Sequence, residues 1–135
     1  MEFASLIAEH RERVESLGLS QLTTPEDVDA ALKEGTVLVF VNSMCGCAQA
    51  SAHPGLAEAL KHEKRPDRLT TVFAGQDHDA TTRAREYFAP HPPSSPCFAL
   101  LKDGSVVEMI SRDEIRGHAP HDVAERLVAA FEAHC

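Results

Sequence analysis

The six residues Thr36-Val-Leu-Val-Phe-Val41 are β-branched or apolar, with no polar side chain breaking the run after the threonine. A strand with one face in water alternates apolar and polar residues, so an unbroken run predicts a strand covered on both faces. Helices packed on either side of a sheet give that cover, which makes α/β the expected class. At 135 residues the chain can bury one such core and is expected to form a single domain over residues 1–135.

The rest of the chain supplies covering elements. Phe3, Leu6, Ile7, Val14 and Leu17 recur at helical spacing and Gly18 follows them, which predicts a first helix between Glu2 and Leu17. Thr24-Pro25-Glu26-Asp27 offers an N-cap, a proline at the first helical position and an acidic third residue. A second helix carrying Val28, Ala31 and Leu32 should start there and stop at Gly35. Beyond the Thr36–Val41 strand, an alanine-rich helix reaching His62 has Leu56 and Leu60 on its apolar face, and Pro54 in its middle predicts a kink. The basic residues from Lys61 to Arg68 fall where positive charge complements a helix C-terminus. Leu69–Ala74 reads as a strand and Asp79–Phe88 as a helix. The proline-rich segment 90–96 blocks regular structure before a strand over Cys97–Lys102, and Asp103-Gly104 turns that strand into a hairpin with Ser105–Ser111. Val123, Leu127, Val128 and Phe131 mark a closing helix over Pro120–Phe131.

The order ααβαβαββα combines a parallel βαβ half with an antiparallel hairpin and a closing helix. That arrangement is thioredoxin-like: a central four-stranded mixed sheet flanked by helices, with an N-terminal helical extension. In this topology four segments meet at one sheet edge. They are the turn holding Cys45, Gln76-Asp77 after the second strand, Ser95-Pro96 entering the third, and Arg112 to His118 leaving the fourth.

Cys45-Gly46-Cys47 stands where the buried strand turns into a helix. The partial positive charge of a helix N-terminus favours a thiolate, so Cys45 is the expected nucleophile. Residues on a helix are rotated by about 100° each, so two cysteines separated by one residue point to nearly opposite sides. A disulfide between them needs Cβ atoms roughly 3.8 Å apart, hence Cys45 outside the helix and unusual dihedrals at Gly46. The small ring would be strained, labile and easily reopened, which suits thiol–disulfide exchange. The alternative use of Cys-x-Cys is a thiophilic metal or iron–sulfur carrier site, with Cys97 or His53 completing the shell. No second Cys-x-Cys or Cys-x2-Cys is present to complete a four-sulfur site, and Cys135 is terminal. Across the edge, a proline at position 96 entering its strand opposite the reactive turn is expected in the cis form. It would present the Ser95 backbone to a peptide or mixed-disulfide substrate.

Composition narrows the partners. Lys and Arg number 13 against 21 Asp and Glu, a net charge of −8, which leaves no basic footprint for nucleic acid. The longest apolar runs, such as Val37–Val41 and Cys97–Leu101, fall far short of the roughly 20 residues of a membrane span. The first ten residues have no basic start of a secretory signal, and the four cysteines do not form a secreted disulfide framework. A cytoplasmic protein is expected.

Three further stretches carry a resemblance. Val41-Asn42-Ser43-Met44-Cys45-Gly46-Cys47-Ala48, Val72-Phe73-Ala74-Gly75-Gln76-Asp77, and Pro92-Pro93-Ser94-Ser95-Pro96 with Leu100-Leu101-Lys102-Asp103-Gly104 resemble the bacilliredoxin family nearly end to end. The resemblance implies a thioredoxin-like oxidoreductase that removes bacillithiol from S-thiolated client proteins, with weak disulfide isomerase activity. It implies Cys45 as the attacking thiol and Cys47 as the resolving one, bacillithiol as co-substrate, and no bound cofactor or metal. Arg112 and Arg116, leaving the fourth strand toward the edge, are candidates to bind the carboxylates of such an anionic thiol. The chain departs from the expected pattern at His53-Pro54-Gly55, where Arg-Pro-Gly is expected, at Cys97, where a smaller unreactive residue is expected and from which an alternative disulfide to Cys45 is conceivable, and at Ala119, which replaces a serine N-cap. His10, His62, His121 and His134 are expected as solvated residues on helix surfaces. His53, His78 and His118 lie nearer the reactive edge.

Overall fold

The computed structural model describes residues 2–44 and 46–135, with side chains for residues 4–44 and 50–135. Among the described residues there are six helices, α1 (Glu2–Ser16), α2 (Pro25–Leu32), α3 (Gly46–Ala59), α4 (His78–Phe88), α5 (Arg112–Ile115) and α6 (Pro120–His134). Five strands, β1 (Ser20–Gln21), β2 (Thr36–Asn42), β3 (Arg68–Phe73), β4 (Cys97–Lys102) and β5 (Ser105–Ile110), form one sheet in the order β1-β3-β2-β4-β5. β1 and β2 run parallel to β3, and β4 runs antiparallel to β2 and β5.

Every residue of β2 is buried, which is what its uninterrupted apolar run requires. Its side chains divide by parity between two cores. Val37, Val39 and Val41 join Val28 and Leu32 of α2 and Ala80, Ala84 and Phe88 of α4. Leu38 and Phe40 join Val14 of α1, Leu56 of α3 and Val123, Leu127 and Phe131 of α6. Phe40 stacks on Phe98 of β4 with ring centroids 4.8 Å apart. The threonines of β3 are buried with their hydroxyls satisfied: Thr70 donates to the Leu38 carbonyl at 2.9 Å and Thr71 to that of Phe40 at 2.6 Å.

Local signals set the boundaries. The Thr24 hydroxyl accepts the Asp27 N–H at 3.1 Å, capping α2 behind Pro25. Asp103 and Gly104 both have positive φ, 50° and 86°, as a tight hairpin turn between antiparallel strands requires. The basic residues after α3 serve two helices. Arg65 donates to the Leu60 carbonyl at 2.9 Å, whereas Arg68 on β3 crosses to the C-terminus of α2 and donates to Ala31 O at 2.9 Å. α3 runs through Pro54 and meets α6 at Gly55, where a Cβ would lie 2.8 Å from Val123 Cβ and 2.9 Å from the Pro120 carbonyl. α6 starts at Pro120 behind Ala119, which provides no side-chain cap.

Two elements differ from the sequence expectation. The sheet has five strands rather than four, because Ser20–Gln21 adds a two-residue edge to β3. That pairing has no periodicity to betray it, and it continues in the Leu22 N–H bond to the Thr71 carbonyl at 2.8 Å. The segment leaving β5 forms the one-turn helix α5, whose buried Ile115 anchors it to the core. Among the described residues no helix is long and apolar enough to cross a membrane.

Candidate active site

β2 ends in Asn42, whose carbonyl accepts the Ala74 N–H at 2.9 Å and whose side-chain oxygen accepts the Ser43 N–H at 2.9 Å. These bonds fix the direction in which the chain leaves the sheet just before Met44. Cys45, the expected nucleophile, and the side chain of Cys47 lie outside the described residues; Cys47 belongs to the first turn of α3.

Around this exit the expected neighbours assemble. The Ser95–Pro96 peptide bond is cis and leads directly into β4, the antiparallel neighbour of β2, where Cys97 pairs with Val41. A second cis bond, Ala89–Pro90, opens the same loop and was not expected from the sequence. The Arg112 N–H donates to the Ser94 hydroxyl at 3.4 Å, tying the start of α5 to the proline loop. The Ser51 hydroxyl donates to the His118 carbonyl, tying α3 to the segment after α5. Arg112 is half-buried beside this loop. Arg116 is exposed, and its N–H closes α5 on the Arg112 carbonyl at 2.7 Å. His78 and His118 are exposed.

Sequence reasoning missed how α1 closes the edge. Arg11 makes a two-pronged ion pair with Asp77, both N–O distances 3.1 Å, while its guanidinium lies 5.1 Å from the centre of the Phe73 ring. Asp77 stands at the N-cap of α4 but makes no side-chain cap bond there, because its carboxylate is turned to Arg11. A polar surface helix gives no sequence sign of a partner 66 residues away.

The histidines are redistributed. His10 is half-buried rather than fully solvated: its ring lies 5.5 Å from that of His53 and 6.1 Å from Phe73. His53 is 5% exposed, packed edge-on to Phe40, with Nε2 3.3 Å from Asn42 Oδ1. Because that oxygen is an acceptor, Nε2 carries the hydrogen and Nδ1 is bare. Burial, aided by repulsion from His10 when protonated and from Arg13, lowers the His53 pKa to about 4, so the ring is neutral at neutral pH. His62 and His121 do lie at the surface, in ion pairs with Glu132 and with Glu58 and Glu125.

Cys97 is 3% exposed, on the α2 and α4 side of the sheet, and burial pushes its thiol up to about 11. Such a thiol is protonated at neutral pH, which makes an exchange role poor chemistry and a core role the natural one. His53 sits on the opposite face, so Cys97 and His53 cannot complete one metal shell together. Among the described residues no cluster of three or more His, Cys, Asp or Glu forms a metal cage. Cys135 is exposed at the end of α6.

Comparison with known proteins agrees with this architecture. A putative oxidoreductase with a thioredoxin fold superposes with TM-score 0.65 at 16% identity, covering 88% of this chain and 96% of its own. The thioredoxin of Fasciola hepatica does so with TM-score 0.59 at 20% identity, covering 87% and 100%. The family model described as disulphide isomerase matches residues 3–135. A bacilliredoxin of Bacillus cereus is 54% identical over 96% of this chain and 91% of its own length. One from Halalkalibacterium halodurans is 58% identical over 93% and 86%. Fold and relatives together define a thiol–disulfide oxidoreductase built on the thioredoxin fold. The chain belongs to the bacilliredoxin family.

Proposed function

We propose that the protein removes bacillithiol from S-bacillithiolated client proteins in the cytoplasm. What supports this reading is that Cys45-Gly46-Cys47 follows fully buried β2 closely in sequence, with Cys47 in the first turn of α3, in a chain of this family. β2 is held on both faces, and a cysteine at a helix N-terminus is favoured in the thiolate form.

In this mechanism the Cys45 thiolate attacks the bacillithiol sulfur of the mixed disulfide. The client sulfur leaves with the electron pair and takes up a proton, and bacillithiol remains disulfide-bonded to Cys45. Cys47, deprotonated, then attacks the Cys45 sulfur, expelling bacillithiol thiolate and leaving a Cys45–Cys47 disulfide. Two molecules of a low-molecular-weight thiol then reduce that disulfide by successive exchange and leave as their own disulfide; alternatively a second bacillithiol thiolate attacks the bacillithiol sulfur on Cys45, releasing bacillithiol disulfide and the Cys45 thiolate. Ser95 and cis-Pro96 align the incoming disulfide, and Arg112 and Arg116 steer its anionic carboxylates toward the edge as it approaches. Weak disulfide isomerase activity follows from the same exchange steps.

The test is recovery of client thiol from a purified bacillithiolated protein by wild type, Cys45→Ala and Cys47→Ala. The reading expects recovery with wild type and loss with Cys45→Ala. Absence of recovery with wild type, or full activity without Cys45, contradicts it.

A further inference from the structure

Between α1 and α3 lies a groove of about 740 Å3, within the range of small-molecule sites. Met44, the residue before Cys45, lines one end, and Ala50, Pro54 and Ala57 of α3 form an apolar wall. Glu9 and Arg13 stand on the α1 wall, both exposed and neither in an ion pair among the described residues. His10 and His53 line it as well. The Nδ1 atoms of both rings are shielded from water and have no hydrogen-bond partner among the described residues. Leu6 at the rim is 46% exposed, a large apolar side chain left in water.

We propose that this groove seats the non-sulfur portion of the low-molecular-weight thiol exchanged at Cys45, Arg13 and His10 taking its carboxylates and Glu9 its ammonium. The inference rests on the reading above and names where its co-substrate binds. Opposite charges on neighbouring turns of one helix select a ligand that carries both signs. The apolar α3 wall and Leu6 cover its carbon framework. Burial, and after it Arg13, disfavour the protonated form of His10, against Glu9. A bound carboxylate reverses that balance and draws a proton onto His10.

The probe is S-methyl bacillithiol, a thioether that cannot exchange, titrated calorimetrically into the full chain. Wild type is expected to bind, and Arg13→Gln, an exposed position whose loss leaves the fold intact, to bind about tenfold more weakly. Ligand-induced amide shifts in NMR spectra should fall on His10, Met44 and Ala50, and the His10 imidazole should titrate at higher pH in the complex. No binding by wild type, equal affinity of Arg13→Gln, or shifts confined to Ser94–Arg116 overturns the proposal. A client peptide, without the thioether, producing the same shifts also overturns it, making the groove a peptide site. If wild type restores client thiol but Arg13→Gln matches it in binding and KM, only this inference falls. If wild type fails on bacillithiolated client while S-methyl glutathione occupies the groove with the same Arg13 dependence, the assignment of bacillithiol falls and the groove stands.

Discussion

Arg11 of α1 and Asp77 at the start of α4 form a two-pronged ion pair, 3.1 Å at each prong, across the sheet edge where β2 delivers the reactive turn. The N-terminal helix is therefore part of the site's frame. Asp77 is only 14% exposed, so its carboxylate depends on the guanidinium that replaces water. Asp77→Asn and Arg11→Leu should each cost about 1–2 kcal/mol, with a coupling near 1 kcal/mol in a double-mutant cycle. Urea denaturation of the four proteins measures this. Additive losses would mean that α1 is held by packing alone.

Gly55 is where α3 touches α6. A methyl group there meets Val123 Cβ at 2.8 Å and the Pro120 carbonyl at 2.9 Å, so the helices must move apart. Gly55→Ala should destabilise by about 1–3 kcal/mol despite the better helix propensity of alanine, and Val123→Ala should restore part of the loss. Thermal unfolding of both variants decides, and a neutral Gly55→Ala would contradict this close approach.

His53 makes stability depend on pH. Its folded value of about 4 lies below the ordinary 6.5, so between those values the unfolded chain holds a proton that the folded one refuses. Its contribution is complete above about 6.5 and is lost as pH falls toward 4, about 3 kcal/mol in all. His10 acts in the same direction, its pKa being lowered chiefly by burial. His53→Gln keeps an N–H for Asn42 and cannot titrate, so its stability should fall less steeply over the same interval. Identical slopes in urea titrations would place His53 in water.

Cys97, with its thiol pushed up to about 11 by burial, should resist iodoacetamide in the native protein at neutral pH and react once the protein is unfolded. Cys97→Ala should cost about 1 kcal/mol of stability and leave exchange activity unchanged. Peptide mapping of alkylated protein and the client-thiol assay test the two halves. Rapid native alkylation would return Cys97 to the list of exchange thiols.

Much of this arrangement is legible in residue order because strong local signals coincide with tertiary demand. The unalternating Thr36–Val41 run, the Thr24-Pro25 cap and the Asp103-Gly104 turn each permit few structures, and each appears where expected. β1 escapes because two residues carry no period, and α5 because its one buried anchor, Ile115, is too little to show a stripe. The buried position of His53 and the half-buried one of His10 escape for another reason. Histidine is common on helix surfaces, and only the Phe40, Phe73 and Asn42 partners, brought by other strands, bury His53 and half-bury His10. The Arg11–Asp77 clamp is of the same kind, a pairing of polar residues that only the folded edge brings together.

The central claim is that the sulfur of Cys45 accepts bacillithiol from a client. Intact-protein mass spectrometry of Cys47→Ala after incubation with a bacillithiolated client tests it most directly. One bacillithiol adduct mapped to Cys45, absent from the Cys45→Ala protein, is the predicted result. An adduct on Cys97 or Cys135 instead, or none while the client stays modified, would contradict it.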